Sequence, residues 1–243
     1  MNNSVTRALV TGGSGTIGSA ICRRLASAGH FVYVHAHRGL AAAETLATEI
    51  TAVGGRAQAL SFDVTDANAT RSALDLLLQE GPIQILVNNA GVHDDAVFPG
   101  MNPRQWHHVV DVSVHGFFNV TQPLTLPMIR TRWGRIINIS SVASLIGNRG
   151  QVNYSAAKGA LNSATRSLAV ELASRGITVN AVAPGVIAGS MSEKIFNAEL
   201  IAQLIPMKRA GLPHEVASLV AFLASDEAAY LTGQIISLNG GML

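Results

Sequence analysis

Charge and cysteine are both scarce in this chain of 243 residues. Only 13% of the residues are charged, the formal net charge is +2, and the basic residues form no concentrated tract. We therefore expect no nucleic-acid partner. Cys22 is the single cysteine, which excludes an internal disulfide framework and suits a reducing compartment. The cysteine content thus favours a cytoplasmic protein.

Long apolar runs and metal-binding patterns are also lacking. No run approaches the roughly 20 apolar residues of a membrane-spanning helix. The short polar segment Met1–Arg7 does not fit a signal peptide, so we expect no membrane association. The eight histidines are scattered without the spacing of a ligand set, so we expect no metal site.

What the chain does contain is a regular alternation of apolar strands and helices, with 48% hydrophobic residues and no linker or repeat. The predicted strands are Arg7–Thr11, Phe31–Ala36, Arg56–Phe62, Ile83–Val87, Gly134–Ser140, Ile177–Ala183 and Gln234–Leu238. The predicted helices are Ile17–Gly29, Leu40–Val53, Ala67–Gln79, Pro103–Arg132, Gln151–Ser174 and Pro213–Ser225, of which the fourth should kink or break at Pro123 and Pro127. This order predicts residues 1–243 to be one α/β domain of the Rossmann type, with a doubly wound parallel sheet of about seven strands.

A hydroxyl, a phenol and an amine follow the fifth predicted strand. Ser141 stands directly after it, and Tyr154 and Lys158 take positions i and i+4 on one face of the next helix. A tyrosine that protonates a carbonyl oxygen near neutral pH needs a pKa below its free value of about 10, and a nearby ammonium group lowers it. We therefore interpret Tyr154 as the acid, Lys158 as its electrostatic partner and Ser141 as a hydrogen-bond donor to the same oxygen. The alternative is an ordinary helix that carries both residues by chance.

A glycine-rich turn, Gly12–Gly18, joins the first strand to the first helix. Small residues let backbone N–H groups approach a pyrophosphate at a helix N-terminus. The strand–turn–helix context therefore predicts dinucleotide binding, against the alternative of a purely structural turn.

The end of the second strand bears on the choice of coenzyme. Folds that bind NAD place an acid there to hold the ribose 2′-hydroxyl, whereas this chain has His37 and Arg38. A cationic Arg38 suits the 2′-phosphate of NADP, with His37 as an accessory candidate. The alternative is that Arg38 is a solvated loop residue.

Together these motifs resemble the short-chain dehydrogenase/reductase family. The resemblance runs from Val10-Thr11-Gly12 to Leu238-Asn239-Gly240-Gly241, and it includes Ser141 placed thirteen residues before Tyr154-x-x-x-Lys158. Asn88-Asn89-Ala90-Gly91 and Pro184-Gly185-Val186-Ile187 also match. Within the family, the chain is most similar to the 3-oxoacyl-[acyl-carrier-protein] reductases.

The resemblance implies NADPH-dependent reduction of a 3-oxoacyl thioester, as in fatty acid or polyketide biosynthesis. Lys158 would also hold the ribose, and Asp63 would contact the adenine unless it is only a helix-capping acid. The residues that the resemblance assigns to the cofactor are Gly12, Ser14, Gly15, Thr16, Ile17, Gly18, His37, Arg38, Asp63, Val64, Asn89, Ala90, Gly91, Tyr154, Lys158, Pro184, Gly185 and Ile187. Two other functions stay open: a reductase of a free ketone, sugar or cyclic alcohol, and a non-catalytic NADP-binding partner subunit.

Three positions depart from the family pattern. The middle glycine of T-G-x-x-x-G-x-G is Thr16, which adds a side chain where backbone packs on the cofactor. The asparagine of the family's catalytic proton relay is Ser113. The threonine that helps to hold the nicotinamide carboxamide is Gly189, with Ser190 beside it as a candidate substitute.

The resemblance also predicts a lid and an oligomer. A mobile substrate lid is expected at about residues 188–210, where Ser192–Met207 is amphipathic, and the alternative is a surface helix packed on the core. A homotetramer is expected through the long helices at 103–132 and 156–173.

A carrier protein is the expected partner. Acyl carrier proteins are acidic, so a basic surface near the cleft should steer them. Arg130, Arg132 and Arg135 precede Ser141, and Arg175 ends the helix of Tyr154. By resemblance, Arg132 and Arg175 stand where the carrier docks, and the alternative is that these cations only complement helix dipoles.

Overall fold

Seven strands form one sheet in the computed structural model, which describes residues 5–189 and 197–243. The strands are β1 (Arg7–Val10), β2 (Phe31–Ala36), β3 (Arg56–Ser61), β4 (Ile85–Asn88), β5 (Gly134–Ile139), β6 (Ile177–Pro184) and β7 (Ile235–Leu238). Their order in the sheet is β3-β2-β1-β4-β5-β6-β7, and every neighbouring pair is parallel.

Helices cover both faces of this sheet. They are α1 (Thr16–Ser27), α2 (Leu40–Ala52), α3 (Ala67–Gln79), α4 (Pro103–Val110), α5 (Gly116–Thr131), α6 (Ala143–Ile146), α7 (Val152–Leu172), α8 (Ala198–Leu204) and α9 (Pro213–Ala224). A π-helical turn, Asp111–His115, joins α4 to α5, and short 3₁₀ turns lie at Phe98–Gly100, Ala173–Arg175 and Asp226–Ala228.

Alternate residues of the central strands face two separate cores. In β1, Ala8 and Val10 pack with residues of α1, α2 and α9, whereas Leu9 packs with residues of α3, α5 and α7. Both faces of the strand are therefore buried, which explains why the strands are apolar along their length.

The long helical segment expected at 103–132 is continuous but irregular. Its irregularity is the π-helical turn at 111–115, and α5 runs through Pro123 and Pro127 without ending. The predicted break at the prolines is therefore wrong. Leu124 and Met128 are completely buried, so the packing of α5 on the sheet overrides the loss of its proline N–H groups.

The strand order reverses between β1 and β4, because the chain first builds outward through β2 and β3 and then in the other direction. Parallel sheets bind ligands beyond the carboxyl ends of their strands at such a reversal. Gly12, Asn89 and Ser141 follow β1, β4 and β5 at this edge. The predicted fold class is confirmed, and the motifs meet at one edge of the sheet.

The residues described by the structure include no helix that is long and apolar enough to cross a membrane. In the same two ranges, no group of three or more histidine, cysteine, aspartate or glutamate side chains is placed to hold a metal ion.

Candidate active site

The glycine-rich turn packs backbone against backbone between β1 and α1. Gly12 has a φ of +61°, a conformation that favours glycine, and a Cβ at Gly18 would overlap the carbonyl oxygen of Gly12. Gly15 is the N-cap of α1, and no side chain caps the helix. The N–H groups of its first turn are therefore left for another acceptor, and a pyrophosphate fits such an uncapped helix N-terminus.

The segment after β4 is fixed against the same turn. The hydroxyl oxygen of Thr11 accepts hydrogen bonds from the backbone N–H groups of Asn89 and Ala90, each at 3.0 Å. The side-chain amide of Asn89 donates to the carbonyls of Thr11 at 2.9 Å and Gly12 at 3.0 Å. Ala90 and Gly91, both predicted cofactor contacts, are thereby held beside the glycine-rich turn.

A buried hydrogen-bond network lies at the carboxyl ends of β4 and β5. Asn88 donates to the hydroxyl of Thr121 at 3.0 Å and to the amide oxygen of Asn138 at 2.9 Å. Asn138, which is completely buried, donates to the hydroxyl of Thr165 at 2.8 Å. The network joins β4 and β5 to α5 and α7, so it holds the helix of Tyr154 in register with the sheet.

His35 lies under the glycine-rich turn and is missed by the sequence analysis. Its Nδ1 accepts a 3.1 Å hydrogen bond from the N–H of Gly12, and its Nε2 lies 2.9 Å from the carbonyl of Phe62, to which it donates. Burial lowers the pKa of His35 to about 4, so the ring is neutral near pH 7. The neutral ring joins the predicted pyrophosphate loop to the end of β3.

The predicted adenosine end brings His37, Arg38 and Asp63 together. His37 Nε2 lies 3.5 Å from Asp63 Oδ2, and Thr65 donates to Asp63 through its N–H and its hydroxyl. Burial acts to raise the pKa of Asp63, but the Thr65 hydrogen bonds and the nearby His37 and Arg38 outweigh it and hold the pKa below its usual value. The N-cap of α3 is Asp66, so Asp63 is not the helix-capping acid.

Arg38 is exposed and makes no hydrogen bond or salt bridge within the described residues. Its guanidinium is therefore free to bind an anion. The hydroxyl oxygen of Ser14 lies 3.5 Å from the position that a Cβ on Gly39 would take, so the glycine-rich turn reaches the turn that carries Arg38. Val64, another predicted contact, is buried against Gly116 and offers the cofactor only its backbone.

Tyr154 and Ser141 meet at the catalytic end of the site. The Ser141 hydroxyl is close enough to the phenol to affect its pKa, and the ring of His93 lies edge-on to the phenol ring with 6.5 Å between centroids. Burial raises the pKa of Tyr154, the Ser141 hydroxyl acts against this, and the Asp95 carboxylate raises it further. The net shift is upward, so the expectation that a cation lowers this pKa does not hold for the cofactor-free chain.

The position of Lys158 explains that difference. Its ammonium nitrogen lies 5.7 Å from the centre of the Tyr154 ring and donates to the carbonyl of Ile139 at 2.8 Å, so it is directed at backbone rather than at the phenol oxygen. A Cβ on Gly91 would lie 3.1 Å from this nitrogen. Lys158 therefore connects the catalytic helix to the predicted ribose-binding segment.

Ser113 lies in the π-helical turn between α4 and α5 and is almost completely buried. Its hydroxyl has no hydrogen-bond partner among the described residues. A π-helical turn changes the backbone hydrogen-bond pattern, and such turns are frequent at functional sites. The backbone at Ser113 is therefore irregular, and the serine side chain makes no hydrogen bond with the described residues.

The turn after β6 is joined to the segment that follows β5 and carries Ser141. Val142 donates from its N–H to the carbonyl of Pro184 at 2.9 Å, and a Cβ on Gly185 would press on Asn239 at 3.0 Å. The chain then continues through Ile187, which pairs with Gly211. Pro184, Gly185 and Ile187 therefore line the same edge as Ser141.

The two ends of the predicted lid are pinned together by this pairing. Ala188 donates to the carbonyl of Gly211 at 2.8 Å, and Gly211 donates to the carbonyl of Val186 at 2.9 Å. Ala188 and Gly211, on either side of the segment, thus lie together. Residues 190–196, including Ser190, lie outside the described residues, so the lid stays a prediction.

The basic residues expected near the cleft lie elsewhere. Arg132 and Arg175 directly precede β5 and β6, which places them at the amino edge of the sheet, while Ser141 follows β5 at the carboxyl edge. The six residues of β5 span about 20 Å. Arg135 is buried and pairs with Asp226 at 3.1 Å, so it is no part of an exposed surface.

Sequence comparison identifies the family. Residues 6–200 match the short chain dehydrogenase family. The chain belongs to this family. It is an oxidoreductase acting on CH–OH or C=O groups, of a family that uses a nicotinamide cofactor.

Three relatives of this short chain dehydrogenase match nearly end to end. The 3-oxoacyl-[acyl-carrier-protein] reductase of Synechocystis sp. is 45% identical over 238 residues, covering 97% of this chain and 96% of the relative. Nodulation protein G of Rhizobium meliloti is 46% identical over 243 residues, with the same coverage. The acetoacetyl-CoA reductase of Cupriavidus necator is 42% identical over 238 residues, covering 97% of each chain.

Polar residues inside apolar strands were the signal that the sequence analysis overlooked in this dehydrogenase. His35 in β2 and Asn138 in β5 are both buried in otherwise apolar strands. A buried polar side chain must find a partner, so each such residue marks a specific connection. In this structure both connections position the site.

Proposed function

We propose that this dehydrogenase reduces the 3-oxo group of an acyl thioester with NADPH. The observation that carries the proposal is the placement of Ser141, Tyr154 and Lys158 together at the sheet edge that also carries the glycine-rich turn. The hydroxyls of Ser141 and Tyr154 meet, and Lys158 stands against Gly91 on the cofactor side. The residues at this edge fit a dinucleotide, because the turn has no room for a side chain at Gly18 and ends in an uncapped helix.

Tyr154 acts as the acid. The reduced nicotinamide supplies a hydride to the carbonyl carbon. Tyr154 donates its proton to the carbonyl oxygen as the C=O double bond opens, which leaves a C–OH group, and the phenolate is reprotonated from solvent. The raised pKa keeps Tyr154 protonated at neutral pH but makes the phenol a weaker acid, so donation depends on Ser141 and the Lys158 cation to stabilise the phenolate that forms. Ser141 donates a second hydrogen bond and so fixes the oxygen in position.

The coenzyme is NADPH rather than NADH in this proposal. Arg38 is exposed and makes no hydrogen bond or salt bridge with the residues that the structure describes, and Ser14 on the glycine-rich turn lies next to its turn. A guanidinium binds a 2′-phosphate by charge-assisted hydrogen bonds. Asp63 is already engaged by Thr65 and faces His37, so the nearest acid is not free to hold a ribose 2′-hydroxyl.

The group that carries the acyl chain needs a direct test, because the relatives differ in it. One relative is named for an acyl-carrier-protein substrate and another, of similar identity, for a coenzyme A substrate. We assign the carrier protein here. Arg132 and Arg175 form an exposed basic pair: Arg132 donates to the carbonyl of Ser174 at 3.2 Å, and Gly176 packs on the carbonyl of Arg132. A carrier bound there must either span the distance between the two sheet edges or reach the cleft of a neighbouring subunit.

The experiment follows NADPH oxidation with three forms of one 3-oxoacyl group: carrier-bound, coenzyme A-bound, and attached to a short thiol. Oxidation with all three supports the proposed chemistry, and kcat/KM ranks the carriers. Turnover of a free ketone, sugar or cyclic alcohol, with none of the three thioesters accepted, would show that the enzyme acts on free carbonyl or alcohol compounds instead. NADPH binding without oxidation of any substrate would leave the non-catalytic function.

The same assay tests the docking pair. The double variant Arg132→Glu, Arg175→Glu should raise KM for the carrier-bound substrate at least about tenfold, because it reverses two steering charges, and should leave the short thioester unchanged. Arg24→Glu with Arg56→Glu is the matched control, since both arginines are exposed elsewhere. Equal effects on both substrates, or none, would remove this pair from carrier binding and leave the reductase standing.

The proposed assembly is a homotetramer in the cytoplasm. Large apolar side chains on α5 and α7 are exposed in the single chain, with Phe118 60%, Leu126 53% and Val170 83% accessible. Exposed apolar patches on packed helices are typical of subunit interfaces. Light scattering at micromolar concentration should give about four chain masses, and a monomer mass would contradict this.

A further inference from the structure

Two of the three departures from the family pattern touch each other in the structure. A Cβ placed on Gly189 would lie 3.0 Å from the methyl carbon and 3.4 Å from the hydroxyl oxygen of Thr16. The side chain of Thr16 therefore occupies the space into which a residue at position 189 would extend. The chain has a threonine where the pattern has glycine, and a glycine where the pattern has threonine.

This contact joins the two segments that flank the proposed cofactor site. Thr16 is the first residue of α1, at the end of the glycine-rich turn. Gly189 follows the Pro184–Ile187 turn, which the Val142 hydrogen bond holds beside the catalytic serine. The remaining sides of the site are joined by the contacts of Asn89 with Gly12 and of Gly91 with Lys158. The Thr16–Gly189 contact completes this ring of connections around the cleft.

The hydroxyl of Thr16 is available for a ligand. Thr16 is exposed, and its hydroxyl makes no hydrogen bond within the described part of the chain. A side chain at the first position of α1 lies next to the N–H groups that the turn leaves uncapped.

We propose that the threonine and the glycine of the family pattern have changed places at Thr16 and Gly189. The Thr16 hydroxyl then binds the nicotinamide half of the cofactor from the opposite wall of the cleft. Glycine suits position 189 because a side chain there would crowd Thr16. The inference rests on the proposed function, since it assigns one hydroxyl within that cofactor site.

Binding of NADPH and of adenosine 2′,5′-bisphosphate, which lacks the nicotinamide half, tests the hydroxyl. Thr16→Val keeps the shape of the side chain and removes only the hydroxyl. It should weaken NADPH binding about three- to tenfold, as expected for one hydrogen bond, and leave the bisphosphate unchanged. Equal NADPH affinity in the variant and the wild type, or an equal loss for both ligands, would overturn the assignment of the hydroxyl.

Thermal unfolding of the cofactor-free protein tests the pairing independently. Gly189→Thr alone should lower Tm and weaken NADPH binding, because its side chain meets Thr16. The double variant Thr16→Gly, Gly189→Thr should recover Tm, and its NADPH Kd should return to within about threefold of the wild type, a strongly non-additive result for residues in contact. Additive effects would refute the exchange.

The two sets of measurements separate this inference from the proposed function. If the wild-type protein bound neither NADPH nor NADH, the proposed function and the role of the Thr16 hydroxyl would both be wrong. The Tm values would still show whether Thr16 and Gly189 depend on each other. A wild-type protein that bound NADPH, with an additive cycle, would leave the function intact and remove only the exchange.

Discussion

Lys158 donates a 2.8 Å hydrogen bond from its ammonium group to the carbonyl of Ile139, the last residue of β5. The side chain is almost completely buried, and burial lowers the pKa of Lys158 to about 8. The ammonium group nevertheless stays charged at neutral pH. A buried cation with one protein partner destabilises the fold, so this residue is kept for function rather than for stability.

Replacing Lys158 by methionine should therefore separate stability from function. The lowered pKa corresponds to a cost on the order of 3 kcal/mol that the variant relieves, while the Ile139 carbonyl loses a donor, at a cost of about 1–3 kcal/mol. We expect the free energy of unfolding of the cofactor-free protein to stay level or rise by up to about 2 kcal/mol, with NADPH affinity and turnover both reduced. Urea unfolding and NADPH titration measure the two effects.

Lys158→Ala is the control for packing, since it removes the charge and also leaves a cavity. It should be less stable than Lys158→Met and equally impaired in cofactor binding. A methionine variant that lost more than about 1 kcal/mol would show that the ammonium group stabilises the fold.

The same residue predicts how stability changes with pH. The pKa of Lys158 is about 8 in the folded chain and 10.5 as the ordinary value, so between these pH values the unfolded chain binds more protons. Stability relative to the Lys158→Met variant should then rise as the pH increases from 8 to 10.5, by about 3 kcal/mol at most. Below pH 8 the difference should be constant. Urea midpoints of both proteins between pH 7 and 10.5 measure this, and a flat difference throughout would refute the shift.

The sheet and its helices could be predicted almost completely from the sequence, because both faces of the sheet are covered. Strands such as β5 are then buried along their whole length and mostly apolar, and glycine marks helix ends such as that at Gly29. The π-helical turn at 111–115 could not be predicted, since the segment contains no proline or glycine that would mark a change in the helix.

The candidate site could also be predicted only in part from the sequence. Spacing alone puts Tyr154 and Lys158 on one helix face, but the pKa values depend on burial and on the direction of the Lys158 hydrogen bond, which spacing does not contain. The contact between Thr16 and Gly189 joins residues far apart in the chain, so it could only be found in three dimensions. The sequence pattern thus identified Tyr154 and Lys158, whereas tertiary packing determines their pKa values.

Tyr154→Phe tests the acid. The variant should lower turnover by about 10²–10⁴-fold, as is typical of a lost general acid, while the fold and NADPH binding persist. Tyr230→Phe is the matched control, because Tyr230 is fully exposed and should be replaceable without effect. Steady-state reduction rates of the two variants measure the loss of turnover. A Tyr154→Phe variant near the wild-type rate would remove Tyr154 from the role of acid.

Arg38→Asp tests the coenzyme. The change exchanges a partner of the 2′-phosphate for a carboxylate that accepts from a free 2′-hydroxyl, so the preference for NADPH should reverse toward NADH. The ratio of kcat/KM for the two coenzymes measures the preference. Arg71→Asp, at an exposed position of α3, controls for the change in net charge. An unchanged ratio in Arg38→Asp would place the phosphate contact on another residue.

Ser113→Asn and Ser113→Ala together test the π-helical turn. The hydroxyl of Ser113 is buried and unpaired, so its removal should leave stability unchanged or raise it by about 1 kcal/mol. By resemblance, the relay at this position works through the backbone carbonyl, and both variants should then change turnover by less than about tenfold, or roughly 1.4 kcal/mol in activation free energy. Reduction rates and urea unfolding measure the two quantities. A much larger gain in Ser113→Asn would show that the relay lacks a side-chain amide as it stands. A large loss in Ser113→Ala would mean that the serine hydroxyl acts in turnover although it has no hydrogen-bond partner among the described residues.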